Sequence, residues 1–354
     1  MEIRVIIAGM NEDDLYFKPP NKEEKHFKKR LQKKDRIVPR QTSKKNSPTS
    51  LSKPHDTGQV IAIGPGHVLL RRGGELIQSS LRGKLKKHFT AEKNLLAAGD
   101  LVRLDNDLLI AEVLPRRSVL QRKDNLSRKK NQTIAANADQ CFITVSIQSP
   151  SLKPALIDRY LITCSMGNMI PIIVINKIDL LPDGDWQHCM RTYTRAGFTC
   201  VAASAKTLEG IESLKNLLAG KLSVFSGQSG VGKTSLINIV CETDFKTSEI
   251  VAQTQKGAHT TSAALIIPLK EGEGAVIDTP GIKSFALAKV DKTSLLDYYP
   301  DLQKFASRCK YPRCTHMHEP GCGVIAAIEA GELDPMRYES YSKIRESNDE
   351  DPVG

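Results

Sequence analysis

Three glycines, a lysine and a threonine in Gly227-Gln228-Ser229-Gly230-Val231-Gly232-Lys233-Thr234, with Ser235 next, fit G-x-x-x-x-G-K-[ST]. Glycines at these positions let backbone N–H groups turn inward around a polyphosphate. Lys233 would neutralise the β/γ charge, and the Thr234 hydroxyl would ligate Mg²⁺. Asp278-Thr279-Pro280-Gly281 offers a carboxylate for the same cation, directly or through water, and a glycine N–H near the terminal phosphate. In Asn176-Lys177-Ile178-Asp179 the chemistry selects the base: the Asp179 carboxylate can accept from N1–H and the 2-amino group of guanine, whereas adenine presents neither donor. An acceptor left unpaired rejects the wrong base by as much as ~10⁴. Ser204-Ala205-Lys206 would bring a backbone N–H to the guanine oxygen. The rival reading of any one motif is a plain turn at a strand exit, but their complementary roles point to a site for GTP or GDP.

A second cluster has different chemistry. Cys309, Cys314 and Cys322 fall close together, with His316 and His318 between them. Three thiolates and one imidazole make a closed tetrahedral Zn²⁺ site, structural rather than catalytic because no position is left for substrate. Either histidine could be the fourth ligand. The other five cysteines are scattered through apolar or helical patterns and read as small core residues rather than a disulfide framework.

Positioning these groups requires strands that end where the motifs begin. Apolar runs at 141–147, 170–175, 198–202, 222–225, 264–269 and 275–277 alternate with helical patterns such as 155–164 and 233–240. This is the pattern of a doubly wound, mostly parallel sheet, which binds ligands beyond the carboxyl ends of its strands. Upstream, short β-like runs between Gly-rich turns across 57–114 suggest a small barrel, with the OB-fold the RNA-binding example. The last 60 or so residues read as short helices around the Cys/His cluster.

The chain has 354 residues, room for more than one domain, and a net charge of +11. That charge is local. Between Lys18 and Lys53 stand 13 Lys and Arg against 3 acidic residues, in a stretch too polar to offset the entropy of ordering. Such an arm is the footprint of nucleic-acid binding by counterion release, the alternative being a solvated tail. Arg116 to Lys130 is a second basic stretch. No apolar run reaches the roughly 18 residues of a membrane span, so a cytoplasmic protein without membrane contact is expected, and nothing demands more than a monomer.

Motif order is unusual. GTPases ordinarily place the phosphate loop first and the guanine-reading motifs last, whereas here Asn176 to Lys206 precede Gly227 to Gly281. The same sheet can be built from a permuted chain, because domain termini lie at the surface and often close together. In this order the sequence resembles the circularly permuted GTPases of the RsgA family, which act in small ribosomal subunit biogenesis. The resemblance covers roughly residues 57 to 325. It rests on these motifs together with Arg82-Gly83-Lys84-Leu85, Gly99-Asp100, Leu114-Pro115-Arg116-Arg117, Gly257-Ala258-His259-Thr260-Thr261 and the Cys309, Cys314, His316, Cys322 spacing.

The resemblance implies a multidomain chain: a basic arm (1–55) outside the resemblance, an OB-fold RNA-binding β-barrel (56–120), a circularly permuted α/β P-loop GTPase domain (121–290) and a small α-helical zinc-binding domain (291–354). It also implies partners, the 30S subunit and its 16S rRNA, bound in the GTP state during late maturation and released on hydrolysis. His316 fits the family spacing, with His318 its rival. Thr260 or Thr261 would close over Mg²⁺ and the terminal phosphate. Behind Gly281, where many GTPases carry a water-positioning glutamine, stands Ile282. Slow intrinsic hydrolysis is therefore expected, with His259 the residue assigned to position water. The switch segment after Gly281 leads toward the Cys/His cluster, so its ordering could reorient the last domain.

Overall fold

The computed structural model describes residues 57–64, 67–82, 94–123, 131–181, 184, 186–243, 264–270, 272–279 and 292–347, and the arm 1–55 lies outside them. Thirteen strands and seven α-helices occur among the described residues. In the centre, β8 (Gln140–Ser146), β9 (Ile170–Asn176), β10 (Thr199–Ala202), β11 (Leu222–Gly227) and β13 (Ala275–Asp278) run parallel in the order β10-β9-β8-β11-β13. Every residue of β8 is buried and β9 is buried from Ile172 onward, as expected of strands covered on both faces. The helices α1 (Pro154–Met166), α2 (Trp186–Arg195), α3 (Ile211–Leu218) and α4 (Lys233–Cys241) connect or follow these strands. Pro154 opens α1, where the missing N–H is not needed. Phe142 and Phe225 stack at 4.8 Å between β8 and β11.

The antiparallel strand β12 (Leu265–Pro268) borders β13 and pairs on its other side with β1 (Thr57–Ile63), through Ala62 and Leu265. The N-terminal strands thus continue the central sheet. β1 pairs with β2 (Val68–Arg72) and β4 (Leu101–Leu104), β2 with β3 (Glu75–Ser79), and β4 with β5 (Ile110–Val113). A parallel bridge from Leu81 to Ile110 brings β5 back beside the end of β3. The ring encloses Val60, Val68, Leu70, Val102, Leu104 and Ile110.

The second basic stretch is partly a hairpin. β6 (Val119–Lys123) pairs with β7 (Asn131–Ala136). Arg116 donates to both oxygens of the fully buried Asp100, at 2.7 and 2.9 Å, a bidentate ion pair at the joint between the ring and the hairpin. Arg117 reaches Asp139 at 2.6 Å. Gly99 has a left-handed φ of +93°, and a Cβ there would sit 2.0 Å from Ala136 O, so the close approach of these two segments needs glycine.

The C-terminal helices α5 (Pro300–Ala306), α6 (Gly323–Glu329) and α7 (Pro335–Glu346) share a core of Leu295, Tyr299, Leu302, Val324, Ala327, Tyr341 and Ile344. Ala155 and Ile162 of α1 complete it, so the helical segment packs directly on the α/β unit.

Candidate functional site

The strand order determines which motifs can meet. Asn176 ends β9, Ser204 follows β10, Gly227 ends β11 and Asp278 ends β13, so all four motifs lie along one edge of the parallel sheet. Register brings Asp278 opposite Phe225, Thr144 opposite Gly227, and Ser146 opposite Asn176.

The phosphate loop is held open by its glycines. Gly227, Gly230 and Gly232 have φ of 151°, 85° and 90°. A Cβ on Gly227 would stand 2.1 Å from Thr144 O, and one on Gly232 would stand 2.4 Å from the Asn176 amide nitrogen. Lys233 Nζ donates to Gly227 O at 2.8 Å and Gln228 O at 2.9 Å, curling the side chain back over the loop. Burial pushes the Lys233 ammonium down to about 8, while Asp278 pulls it upward. Burial likewise pushes the Asp278 carboxyl up to about 6 against the opposing effect of Lys233. In both groups burial disfavours the charged form, and the opposite charge of the other partly offsets it. Thr234 and Ser235 lie exposed in the first turn of α4, beside the helix N-terminus that favours anions.

The segments that follow β9 and β10 are tied to this loop. Asn176, buried at the end of β9, donates through Nδ2 to Val231 O at 2.8 Å and accepts from Ala205 N at 3.2 Å. Ser204 donates to Asp179 Oδ1 at 2.6 Å and accepts from the backbone N–H groups of Lys206 and Thr207 at 3.2 and 3.1 Å. Lys177 takes a left-handed φ of 64°, and its Nζ donates to Ser149 O at 2.5 Å. Val231 is buried beneath the loop, and Gln228 and Ser229 form its outer turn.

Sequence motifs did not point to Ser146, Ser149, Pro150 or the Thr279 hydroxyl, which donates to Phe225 O at 2.7 Å and pins β13 to β11. Thr279 stands within a quoted motif, but no spacing rule distinguishes its hydroxyl. The switch residues His259, Thr260, Thr261 and Gly281 lie outside the described residues.

In the helical segment, donor atoms of Cys309, Cys314, His316 and Cys322 all lie within 4.8 Å of one another. His316 Nδ1 stands 3.4 Å from Cys309 Sγ and 3.5 Å from Cys322 Sγ, and the two sulfurs are 4.0 Å apart. Zn–S bonds of about 2.3 Å and Zn–N bonds of about 2.0 Å place tetrahedral donors roughly 3.5–3.8 Å apart, so the set fits a zinc ion. Gly323 N–H donates to Cys309 Sγ at 3.2 Å, the kind of contact that orients a thiolate ligand. His318 is exposed and is not one of the four convergent donors.

Comparison with known proteins gives a consistent result. Residues 113–288 match the family described as RsgA GTPase. The small ribosomal subunit biogenesis GTPase RsgA of Chlorobaculum parvum is 40% identical over 270 residues, covering 73% of this chain and 86% of that protein. Its counterpart in Bacteroides fragilis is 34% identical over 286 residues, with 78% and 92% covered. Among solved structures, YjeQ from Thermotoga maritima matches with a TM-score of 0.61 and 29% identity, over 82% of this chain and 97% of that one. YloQ, described as a circularly permuted GTPase, matches with a TM-score of 0.60 and 28% identity, over 84% and 96%.

Proposed function

The chain belongs to the RsgA family of GTPases, and from that premise we propose that it is a GTP-driven assembly factor of the small ribosomal subunit. It binds the 30S particle and its 16S rRNA in the GTP state late in maturation and leaves after hydrolysis. It works in the cytoplasm as a monomer. Its parts are the basic arm (1–55), an OB-fold barrel (56–120), the permuted GTPase domain (121–290) and a zinc-binding domain (291–354). The strand ring enclosing Val60 and Ile110 supports the OB-fold assignment. The relatives' names support the ribosomal role.

In this reading the backbone N–H groups around Gly227 to Thr234 bind the polyphosphate, Lys233 neutralises its β/γ charge, and Asp179 with Ala205 N–H reads guanine. Mg²⁺ held by Thr234 and Asp278 would supply charge neutralisation at the transferring phosphoryl group. Thr260 or Thr261 closes the site, and His259 orients the attacking water in place of the missing glutamine. Cys309, Cys314, His316 and Cys322 hold structural Zn²⁺. The observation that carries the reading is the single network from Asp179 through Ser204, and from Ala205 through Asn176 to Val231, which joins base reader to phosphate loop.

The test is co-sedimentation of the full chain with 30S subunits, 50S subunits and unrelated RNA, with GDP or a non-hydrolysable GTP analogue. Binding to 30S that is selective and stronger with the analogue supports the proposal. Binding indifferent to both nucleotide and particle would leave an RNA-binding GTPase with no ribosomal role.

A further inference from the structure

All the motif-bearing strand ends have a nucleotide role in this reading, but the central strand does not. β8 lies between β9, which ends in Asn176, and β11, which ends in the phosphate loop. Whatever leaves the carboxyl end of β8 must therefore emerge between the base reader and the phosphate binder. The segment that does so is the turn at 147–153, which carries no recognised motif.

The turn touches both neighbours. On one side Ser149 O accepts from Lys177 Nζ at 2.5 Å. On the other, Pro150 Cδ lies 3.7 Å from the position a Cβ on Gly230 would occupy, in van der Waals reach of the phosphate loop. Lys177 Cε is 3.9 Å from the corresponding position on Gly232, so its stem runs from the phosphate loop toward the turn. The turn is itself anchored: the buried Ser146 hydroxyl donates to Pro150 O at 2.8 Å, and Leu152 N–H donates to Ile147 O at 3.1 Å.

We propose that the turn at 147–153, through Ser146, Ser149 and Pro150, is a positioning element of the nucleotide site that holds Lys177 in place and thereby slows guanine nucleotide release. A lysine side chain is among the most costly to immobilise, and a carbonyl that already holds its ammonium removes much of that cost from the binding step. The stem then lies as a fixed apolar ledge between phosphate loop and base reader, where the sugar of a bound nucleoside triphosphate must pass. The inference rests on the nucleotide-site reading above, and the experiment separates the two.

Release of a fluorescent GDP from the full chain is followed by stopped flow for wild type, Ser146→Ala, Pro150→Gly, Lys177→Ala and the two double variants with Lys177→Ala. Asp179→Asn serves as the control for the site itself. Pro150→Gly and Ser146→Ala should each speed release roughly three- to tenfold in the wild-type background but less than about twofold when Lys177 is already Ala, the non-additivity expected of residues acting through one another. Thermal unfolding of each variant separates this from a loss of fold, which would act equally in both backgrounds. Equal effects in both backgrounds, or unchanged release in both turn variants, overturn the proposal. If Asp179→Asn and Lys177→Ala also left release and base preference unchanged, the nucleotide-site reading itself would fail.

Discussion

Ser204 donates its hydroxyl to Asp179 Oδ1 across 2.6 Å, while its own oxygen takes the N–H groups of Lys206 and Thr207. The carboxylate proposed to read guanine is thus oriented before any ligand arrives, and Ser204 is completely buried. Two substitutions separate recognition from orientation. Asp179→Asn should abolish guanine preference and create affinity for xanthine, whose 2-oxo group suits an amide donor. Ser204→Ala should leave preference intact but weaken GDP binding by about 1–1.5 kcal/mol, roughly tenfold. Calorimetric titration with GDP and XDP checks both. A Ser204→Ala protein with unchanged GDP affinity would show that the serine is only a loop anchor.

The Lys233 and Asp278 shifts predict a pH window for nucleotide binding. Burial holds Asp278 up at about 6 and Lys233 down at about 8. In the proposed site, binding a polyphosphate with its cation requires ionised Asp278 and protonated Lys233. Affinity should therefore fall as pH drops through about 6, where a proton must be expelled, and again as pH rises through about 8, where one must be taken up. In the nucleotide-free protein the signs differ. The folded chain holds the extra proton on Asp278 between 3.8 and about 6, so that group's contribution to stability falls as pH rises there. The unfolded chain holds the extra proton on Lys233 between about 8 and 10.5, so stability rises with pH in that range. Calorimetry in buffers of differing ionisation enthalpy should record proton release near pH 6 and uptake near pH 8, and Asp278→Asn should remove the acid limb and, by withdrawing the charge that pulls Lys233 upward, move the alkaline limb to lower pH.

These relationships were unequally legible in the sequence. The strands before Gly227, Asn176 and Asp278 could be read because each is a short apolar run stopped by a motif, and periodicity locates such ends within a residue or two. The hairpin of β6 and β7 could not. Arg116, Arg117 and their neighbours read as a surface charge run, because one chain in isolation does not show that Asp100 and Asp139 take up two of those charges. The β8 exit was equally silent, since Ser149 acts through its carbonyl oxygen, which every residue possesses. Spacing left His316 and His318 open, and the structure separates them by burial and convergence. The roles given to His259, Thr260 and Thr261 come from the family resemblance, and that of Gly281 from its place in the Asp278-Thr279-Pro280-Gly281 motif.

Arg337 ties the helical segment to the GTPase domain. It is 1% exposed, donates to Asp301 of α5 at 2.8 and 3.1 Å and pairs with Asp158 of α1, inside a cage of Tyr193, Phe198 and Tyr299. Burial pushes the Asp158 carboxyl up, and Arg337 opposes it. Removing one member of such a network strands the remaining charges, so Arg337→Met should cost about 3–5 kcal/mol. Replacing all three charges together, as Asp158→Asn, Asp301→Asn and Arg337→Met, should restore most of that loss. Urea unfolding measures both. The network also constrains the expected reorientation of the helical segment after Gly281: a motion that separates α7 from α1 must break it. Hydrogen exchange at 335–346 that is equally slow with GDP and a GTP analogue would show that the helices stay docked throughout the cycle.

The cluster of Cys309, Cys314, His316 and Cys322 gives the clearest discrimination between neighbouring residues. His316 is 4% exposed with a left-handed φ of 61°, a backbone cost that a metal bond can offset, and its ring lies 6.3 Å from that of Tyr341. Tyr341 donates in turn to Thr315 O at 3.2 Å, and Glu319 accepts the Thr315 and Met317 N–H groups at 2.6 and 3.1 Å, so the loop between Cys314 and Cys322 is shaped around an inward-facing imidazole. His318 stands on the exposed side of the same loop. Cys314→Ser and His316→Ala should therefore lower bound zinc well below one per chain after dialysis, while His318→Ala retains it, as read by elemental analysis of the purified full chain. Because the core shared by α5, α6 and α7 is small, withdrawing zinc with a chelator should also speed hydrogen exchange across 300–347 and leave β8, β9 and β11 protected. Full zinc retention by His316→Ala together with loss in His318→Ala would mean that the outer histidine rotates inward to ligate, reversing the assignment.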